Sequence, residues 1–238
     1  MQQGIIIDHG IIRADLGVGL RTNSRLRFRA GGQSYPTGVL ETKGTFNRTL
    51  GDGINQVRWE PWDRDGGFAA LGGPLTVDIG GGSEIEIGSV DFLWRPRLVL
   101  GSWSADNQVN FITDLNLRNE WNYVKAYDNT NSVTDRTLMS GNLRNGYLRV
   151  YGNGQLRMTG NNDLKQLAIQ DTAMVLINGS HISSEWIWTE NNHAAGLGGN
   201  GSLSVPNVEI RNLGRLAPGD GAGTLTTTVT SGNGFYMQ

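Results

Sequence analysis

The sequence predicts an all-β fold built as a β-helix, with a β-sandwich as the alternative, and three observations lead there. No stretch keeps apolar residues at i, i+3, i+4 and i+7 for three turns, so helix signals are nearly missing. Runs of three to six residues alternate with period two and are cut apart by Gly, Asn and Asp. Successive runs beginning at Leu148, Leu156, Leu164, Met174 and Ile182 lie eight to ten residues apart. That spacing fits hairpin sandwiches as well as solenoids. Strand length separates them: most runs here are three to five residues, whereas sandwich strands usually reach about five or six and longer.

The elements follow in chain order. Leu75–Ile79, Glu84–Ile87, Tyr147–Tyr151, Gln155–Met158, Met174–Ile177, Val208–Ile210 and Thr224–Thr230 read as strands. Between them stand residues that tolerate positive φ: Gly80-Gly81-Gly82, Asn153-Gly154, Asn161-Asn162 and Asn178-Gly179. Three sides of eight to ten residues make a coil of about 24–30, within the range of solenoid repeats. Corners that bend every few residues select Gly and Asn, which accounts for 35 Gly and 22 Asn among 238 residues.

Composition excludes several functions. A net charge of −2 gives no reason to expect nucleic acid or an anionic membrane surface. With no Cys there is no disulfide framework, zinc cluster or cysteine nucleophile. No apolar run approaches the ~18 residues that span a bilayer. Met1-Gln2-Gln3-Gly4 runs straight into Ile5-Ile6-Ile7 without a signal-peptide pattern, and Ser231–Gln238 opens a new turn and strand. Residues 1–238 therefore read as one solenoid segment of a longer repeat protein.

The most specific text is Gly214-Arg215-Leu216-Ala217-Pro218-Gly219, a Gly-rich turn through Gly223, then Thr224-Leu225-Thr226. It resembles the autotransporter-associated β-strand repeat, with Arg215 in place of the usual Thr. Gly38–Gly51, Gln56–Trp59, Gly66–Ala70, Gly72–Val77 and Leu98–Ser102 are similar to long repeat-bearing bacterial surface proteins. The resemblance covers residues 36–113 and 172–230 and is weak between Asn122 and Lys165. It implies a right-handed parallel β-helix at the bacterial cell surface, acting as adhesin, stalk or coat. The motif residues Gly214, Leu216, Pro218, Gly219, Gly223 and Leu225 are structural in that family, and no catalytic residue is carried over.

Chemistry-bearing clusters are sparse. Asp63-Arg64-Asp65 lacks the further ligands of a calcium loop and reads as a solvated corner. Glu84 and Glu86 share a strand face; paired carboxylates serve glycosidases, yet period-two alternation explains them as an outward polar stripe over Ile85 and Ile87. His9, His181 and His193 have no ligand spacing, and His193 reads as a surface-loop residue. No nucleophile elbow, phosphate loop or calcium nonapeptide appears. The expectation is no catalytic residue, no metal and no cofactor. Aromatics carry the functional signal, with seven Trp. Trp186 and Trp188 share one strand face, and Trp59 and Trp62 span a turn, either as platforms for sugar rings or a protein partner or as rings that fill coil interiors or cover a coil end. Positive charge is 17 Arg against 3 Lys, favouring planar contacts to carboxylates.

The reading is thus a non-enzymatic extracellular fibre or adhesin segment. A β-helical polysaccharide-degrading enzyme or a carbohydrate-binding module is the alternative. Its expected partners are further coils or copies of itself stacked end to end through open strand edges, and a surface polysaccharide. Neither nucleic acid nor membrane insertion is expected.

Overall fold

The structure, a computed structural model, describes residues 4–31, 38–60, 64–88, 97–221 and 223–238. It contains strands, turns and bends and, among the described residues, no helix. The strands pair in parallel, apart from Ala30–Gly31 against Arg64–Asp78 and isolated bridges. Parallel pairing removes the sandwich alternative, since hairpin-connected strands would lie antiparallel.

Three ladders recur in fixed order along the chain. The first contains Ile11–Arg13, Arg97–Leu100, Trp121–Ala126 and Tyr147–Gly152, with the start of Gly38–Asn47 and of Arg64–Asp78. The second contains Val109–Phe111, Thr137–Met139, Gln155–Met158, Met174–Ile177, Gly196–Gly199 and Arg215–Pro218. The third begins with Ile85–Glu86, Leu115–Asn116 and Leu143–Arg144. A separate three-stranded sheet joins Gly4–Ile7, Arg25–Phe28 and Val57–Trp59.

Beyond residue 160 one strand serves two ladders. Asn161–Ile169, Ser180–Thr189, Ser202–Ile210 and Thr226–Met237 each belong to the third ladder in their first half and to the first in their second. Register shifts between Leu164 and Gln166, Ile182 and Trp186, and Val205 and Asn207 mark the bend. A bulge turns the backbone without breaking the strand, so no loop is needed there. Val124 pairs with Val150, 26 positions on, but Val150 pairs with Ile169 after only 19. The later interval is shorter than the 24–30 expected, and Asn161-Asn162 starts a strand instead of forming a corner.

The interior is columnar. Leu75, Val109, Thr137, Leu156, Val175 and Leu197 follow one another up the second ladder, all buried. Val77, Phe111, Met139, Met158 and Ile177 form the neighbouring column. Each inward position meets its counterpart about 4.8 Å above, so apolar contacts continue through the stack.

Corners explain the composition. A Cβ on Gly160 would meet the Gly141 carbonyl oxygen at 2.5 Å, and one on Gly179 the Gly160 oxygen at 2.3 Å. The same clash recurs for Gly201 against the Gly179 oxygen, at 2.0 Å. These glycines stack so closely that no side chain fits between levels. Beside them runs a side-chain ladder: the Asn161 amide donates to Asn142 Oδ1 at 2.8 Å, and Ser180 Oγ donates to Asn161 Oδ1 at 2.8 Å. Asn and Ser there supply the hydrogen bonds that the bending backbone cannot make.

Candidate functional site: an outward aromatic face

The outward face of the first ladder gathers the aromatic and cationic residues. Period-two alternation sends Val124, Leu148, Val150, Leu167 and Ile187 inward. Their neighbours Trp121, Tyr123, Tyr147, Arg149, Tyr151, Trp186 and Trp188 are left half-buried outside. Pairing then stacks Trp121, Tyr147, Gln166, Trp186 and Asn207 in one column. Arg97, Tyr123, Arg149, Ala168, Trp188 and Glu209 form the next.

Cations lie over several rings. The Arg149 guanidinium is 4.9 Å from the Trp121 ring centre and that of Arg211 is 5.6 Å from Trp188. Lys125 lies 5.2 Å from Tyr151 and Lys165 5.8 Å from Tyr147. Most of these cations also face an acid. Arg149 is 3.6 Å from Glu190 and Arg211 2.7 Å from Glu209. Lys125 donates to buried Asp65, whose other oxygen lies 3.7 Å from Arg97. Burial, with Asp65 nearby, holds the Tyr151 phenol well above its usual range. Paired in this way, the face offers little free positive charge and much ring surface.

Trp186 differs from its neighbours. Among the described residues no ring or cation is stacked on it, and Gln166 and Asn207 flank it in the column. Gln166 donates to Glu185, which also accepts from the Tyr147 hydroxyl at 3.5 Å. A half-buried indole with no ring or cation over it can stack against a sugar ring.

The other predicted positions fall elsewhere. Trp59 is 0 % exposed and cannot be a platform. Its ring lies 4.9 Å from Phe28 and 6.2 Å from Phe68, and its Nε1 donates to the Gly66 oxygen at 3.0 Å. Burial of so large a ring follows from Gly66, where a Cβ would sit 2.3 Å from that of Phe28. Trp62, Trp94 and Asp63 lie outside the described residues. Asp65 is buried beneath Lys125, not in a solvated corner.

Glu84 and Glu86 point outward over Ile85 and Ile87, each paired with an arginine: Arg144 on Glu84, and Arg118 on Glu86 at 2.9 Å. His193 is half-buried, 3.8 Å from Asp171, whereas His181 is 1 % exposed with neither ring nitrogen hydrogen-bonded. Burial pushes its imidazole down to about 4.

The repeat-motif residues sit at structural positions. Leu216 pairs beside Leu197 and, with Leu225, packs on the core. Pro218 ends its strand opposite Gly199, and Gly219 has φ +103. Gly214 leaves room for Thr189 and Gly223 for Asn200.

Sequence reading missed a groove at the corner that follows the first ladder. Trp103, Asp128, Asn153, Asp171 and Thr172 enclose about 450 Å³. A space of about 310 Å³ continues it past Gln155 to Arg215. Burial and nearby Asp135 push the Asp128 carboxyl above its ordinary value. Among the described residues no three His, Asp or Glu side chains gather as a metal site. Comparison of the chain with protein-family models, with curated proteins and with solved structures finds no match in any of the three.

Proposed function

We propose that the chain is a segment of a right-handed parallel β-helix serving as a non-enzymatic adhesive or structural part of a bacterial surface protein, and that it holds a surface polysaccharide on its outward aromatic face. The solenoid reading is supported by three parallel ladders visited in the same order, with pairing intervals of 19 to 34 residues. The surface placement rests on the resemblance of residues 214–226 to the autotransporter-associated repeat, whose Leu216 and Leu225 pack on the core here.

One observation carries the binding reading: half-buried Trp186 has no ring or cation stacked on it among the described residues. A stacked platform repeating at about 4.8 Å suits an elongated ligand. Because most neighbouring cations are already paired, ring stacking dominates and salt weakens binding little.

The test is retention of the purified chain on immobilised bacterial surface polysaccharides at low and high salt. Trp186→Ala with Trp188→Ala should cut retention about tenfold or more, in line with the energetics of buried aromatic anchors. Retention unaffected by both substitutions would remove the face from the reading.

A further inference from the structure

We infer that the groove between Trp103 and Asp171 is a second carbohydrate subsite, selective for a neutral sugar unit. It lies at the end of the first ladder's strands, apart from the Trp186 column, and does not depend on the aromatic face being a binding surface.

The groove's platform is Trp103, 51 % exposed although its loop is pinned on two sides. From below, buried Glu41 accepts from Ser102 Oγ at 2.6 Å and from Ser104 Oγ. From the side, Asn129 Nδ2 donates to the Ala105 oxygen at 2.7 Å, and Thr134 Oγ1 to the Asp106 oxygen at 2.6 Å. An indole held open to water on a braced loop is preorganised for a ligand face.

The floor is backbone ladder. Asp171 sits at φ 56 and its Oδ2 accepts from the Gly152 amide at 3.1 Å, leaving Oδ1 3.8 Å from His193. Asn153 Oδ1 accepts from the Asp128 amide at 3.3 Å. A left-handed non-glycine residue held by its own side chain is a form of local strain that recurs at functional sites.

The chemistry selects the ligand. Carboxylates of Asp128 and Asp171 accept pairs of hydroxyls from a sugar, whose C–H face lies on Trp103. The same carboxylates repel uronate. Arg215 stands at the far end of the continuation, so a chain several units long would still meet acid first.

The experiment uses the full chain, with calorimetry and saturation-transfer NMR against mannohexaose, cellohexaose, maltohexaose and chitotetraose. Tetragalacturonate serves as the acidic counterpart. At least one neutral oligosaccharide should bind, and Trp103→Ala should weaken it tenfold or more. Asp171→Asn should weaken it severalfold without unfolding, since Asn tolerates the left-handed conformation. Trp103→Tyr keeps a ring and should retain most affinity, guarding against a folding defect in the alanine variant. Loss of binding in Trp103→Ala with the Trp186 face intact separates the groove from that face, and Glu84→Gln, which lines neither part of the groove, should bind as the parent does. The inference is overturned if no neutral oligosaccharide binds, if Trp103→Ala and Asp171→Asn bind as the parent does, or if tetragalacturonate binds in the groove more tightly.

Discussion

Residues 97–152 and residues 161–210 build the same three ladders with different connections. In the first region the chain leaves a first-ladder strand and wanders through residues 101–108 or 127–136 before entering the second ladder. In the later one, single strands pass from the third ladder to the first across a bulge, and the interval between paired strands falls from 26 to about 20. The core columns are continuous through both, so the extra residues add nothing to the interior. What they add is surface relief: the Trp103 loop, its braces and the groove they form. Economy of connection gives a smooth stack, and relaxed connection gives surface relief.

The sharpest way to break the comparison is at a shared corner. Gly179→Val places a branched side chain where the Gly160 and Thr159 oxygens lie 2.3 and 2.5 Å from a bare Cβ. Neither backbone segment can retreat without dislocating a ladder, so the expected loss exceeds about 4 kcal/mol. Gly82→Ala has open space around its Cβ and meets only its positive φ, costing about 1–2 kcal/mol. Urea unfolding of both variants measures the contrast. Equal losses would mean that backbone conformation, and not close stacking, fixes the corner glycines.

The later region also carries an acid-sensitive point. His181 is buried between Asn162 and Leu203 in the third ladder, with its imidazole lowered to about 4 by burial. A folded-state value below the free one of 6.5 means that the unfolded chain binds the proton first. Stability is therefore full above about pH 6.5 and falls as the pH drops toward 4, by about 3 kcal/mol for this residue. Unfolding midpoints at pH 7.5 and 4.5 should differ strongly in the parent chain and much less in His181→Leu. A drop of the same size in both would place the acid sensitivity in the carboxylates.

These contrasts separate what the sequence made legible from what it did not. Gly, Asn and the period-two runs announced an all-β chain with sharp corners, and alternation alone put Trp186 and Trp188 on one strand face without telling inward from outward. Alternation misled at Ser180–Ser183, where His181 and Ser183 turn inward while Ile182 is half exposed. There the backbone bonds of a continuous strand override hydrophobicity. Asp65 was unreadable for another reason. Its partner Lys125 lies 60 residues on and is brought beside it by pairing through Arg97. Trp59 likewise needs Phe28 and Gly66 around it to become core. The groove depends wholly on such distant neighbours.

A smaller effect sharpens the account of the relaxed connections. Asn129→Ala combined with Thr134→Ala removes both hydrogen bonds that brace the Trp103 loop while leaving every ladder bond in place. Each partly exposed bond is worth about 1 kcal/mol at most, so the unfolding midpoint should move little. Hydrogen exchange within residues 102–106 should rise clearly. If exchange there is unchanged, Glu41 and the bonds of Asp106 to Ala70 and Gly72 suffice to hold the loop.

The smallest expected effect lies on the third ladder's outward face. Glu84 and Glu86 each lean on one arginine from a neighbouring level, Arg144 and Arg118, in solvent-exposed pairs. Exposed pairs contribute little, because water screens the charges and two long side chains must be held still. Alternation over Ile85 and Ile87 already accounts for their direction. Glu84→Gln and Glu86→Gln should therefore leave both the unfolding midpoint and polysaccharide retention where they were. The same variants probe the enzymatic alternative. Should the parent chain depolymerise a polysaccharide, and either substitution abolish it, the paired carboxylates would be acting as acid and base. The adhesive reading would then give way to a hydrolase whose site lies on the third ladder's outward face, beside the small hollow lined by Ile87, Gly88 and Arg118.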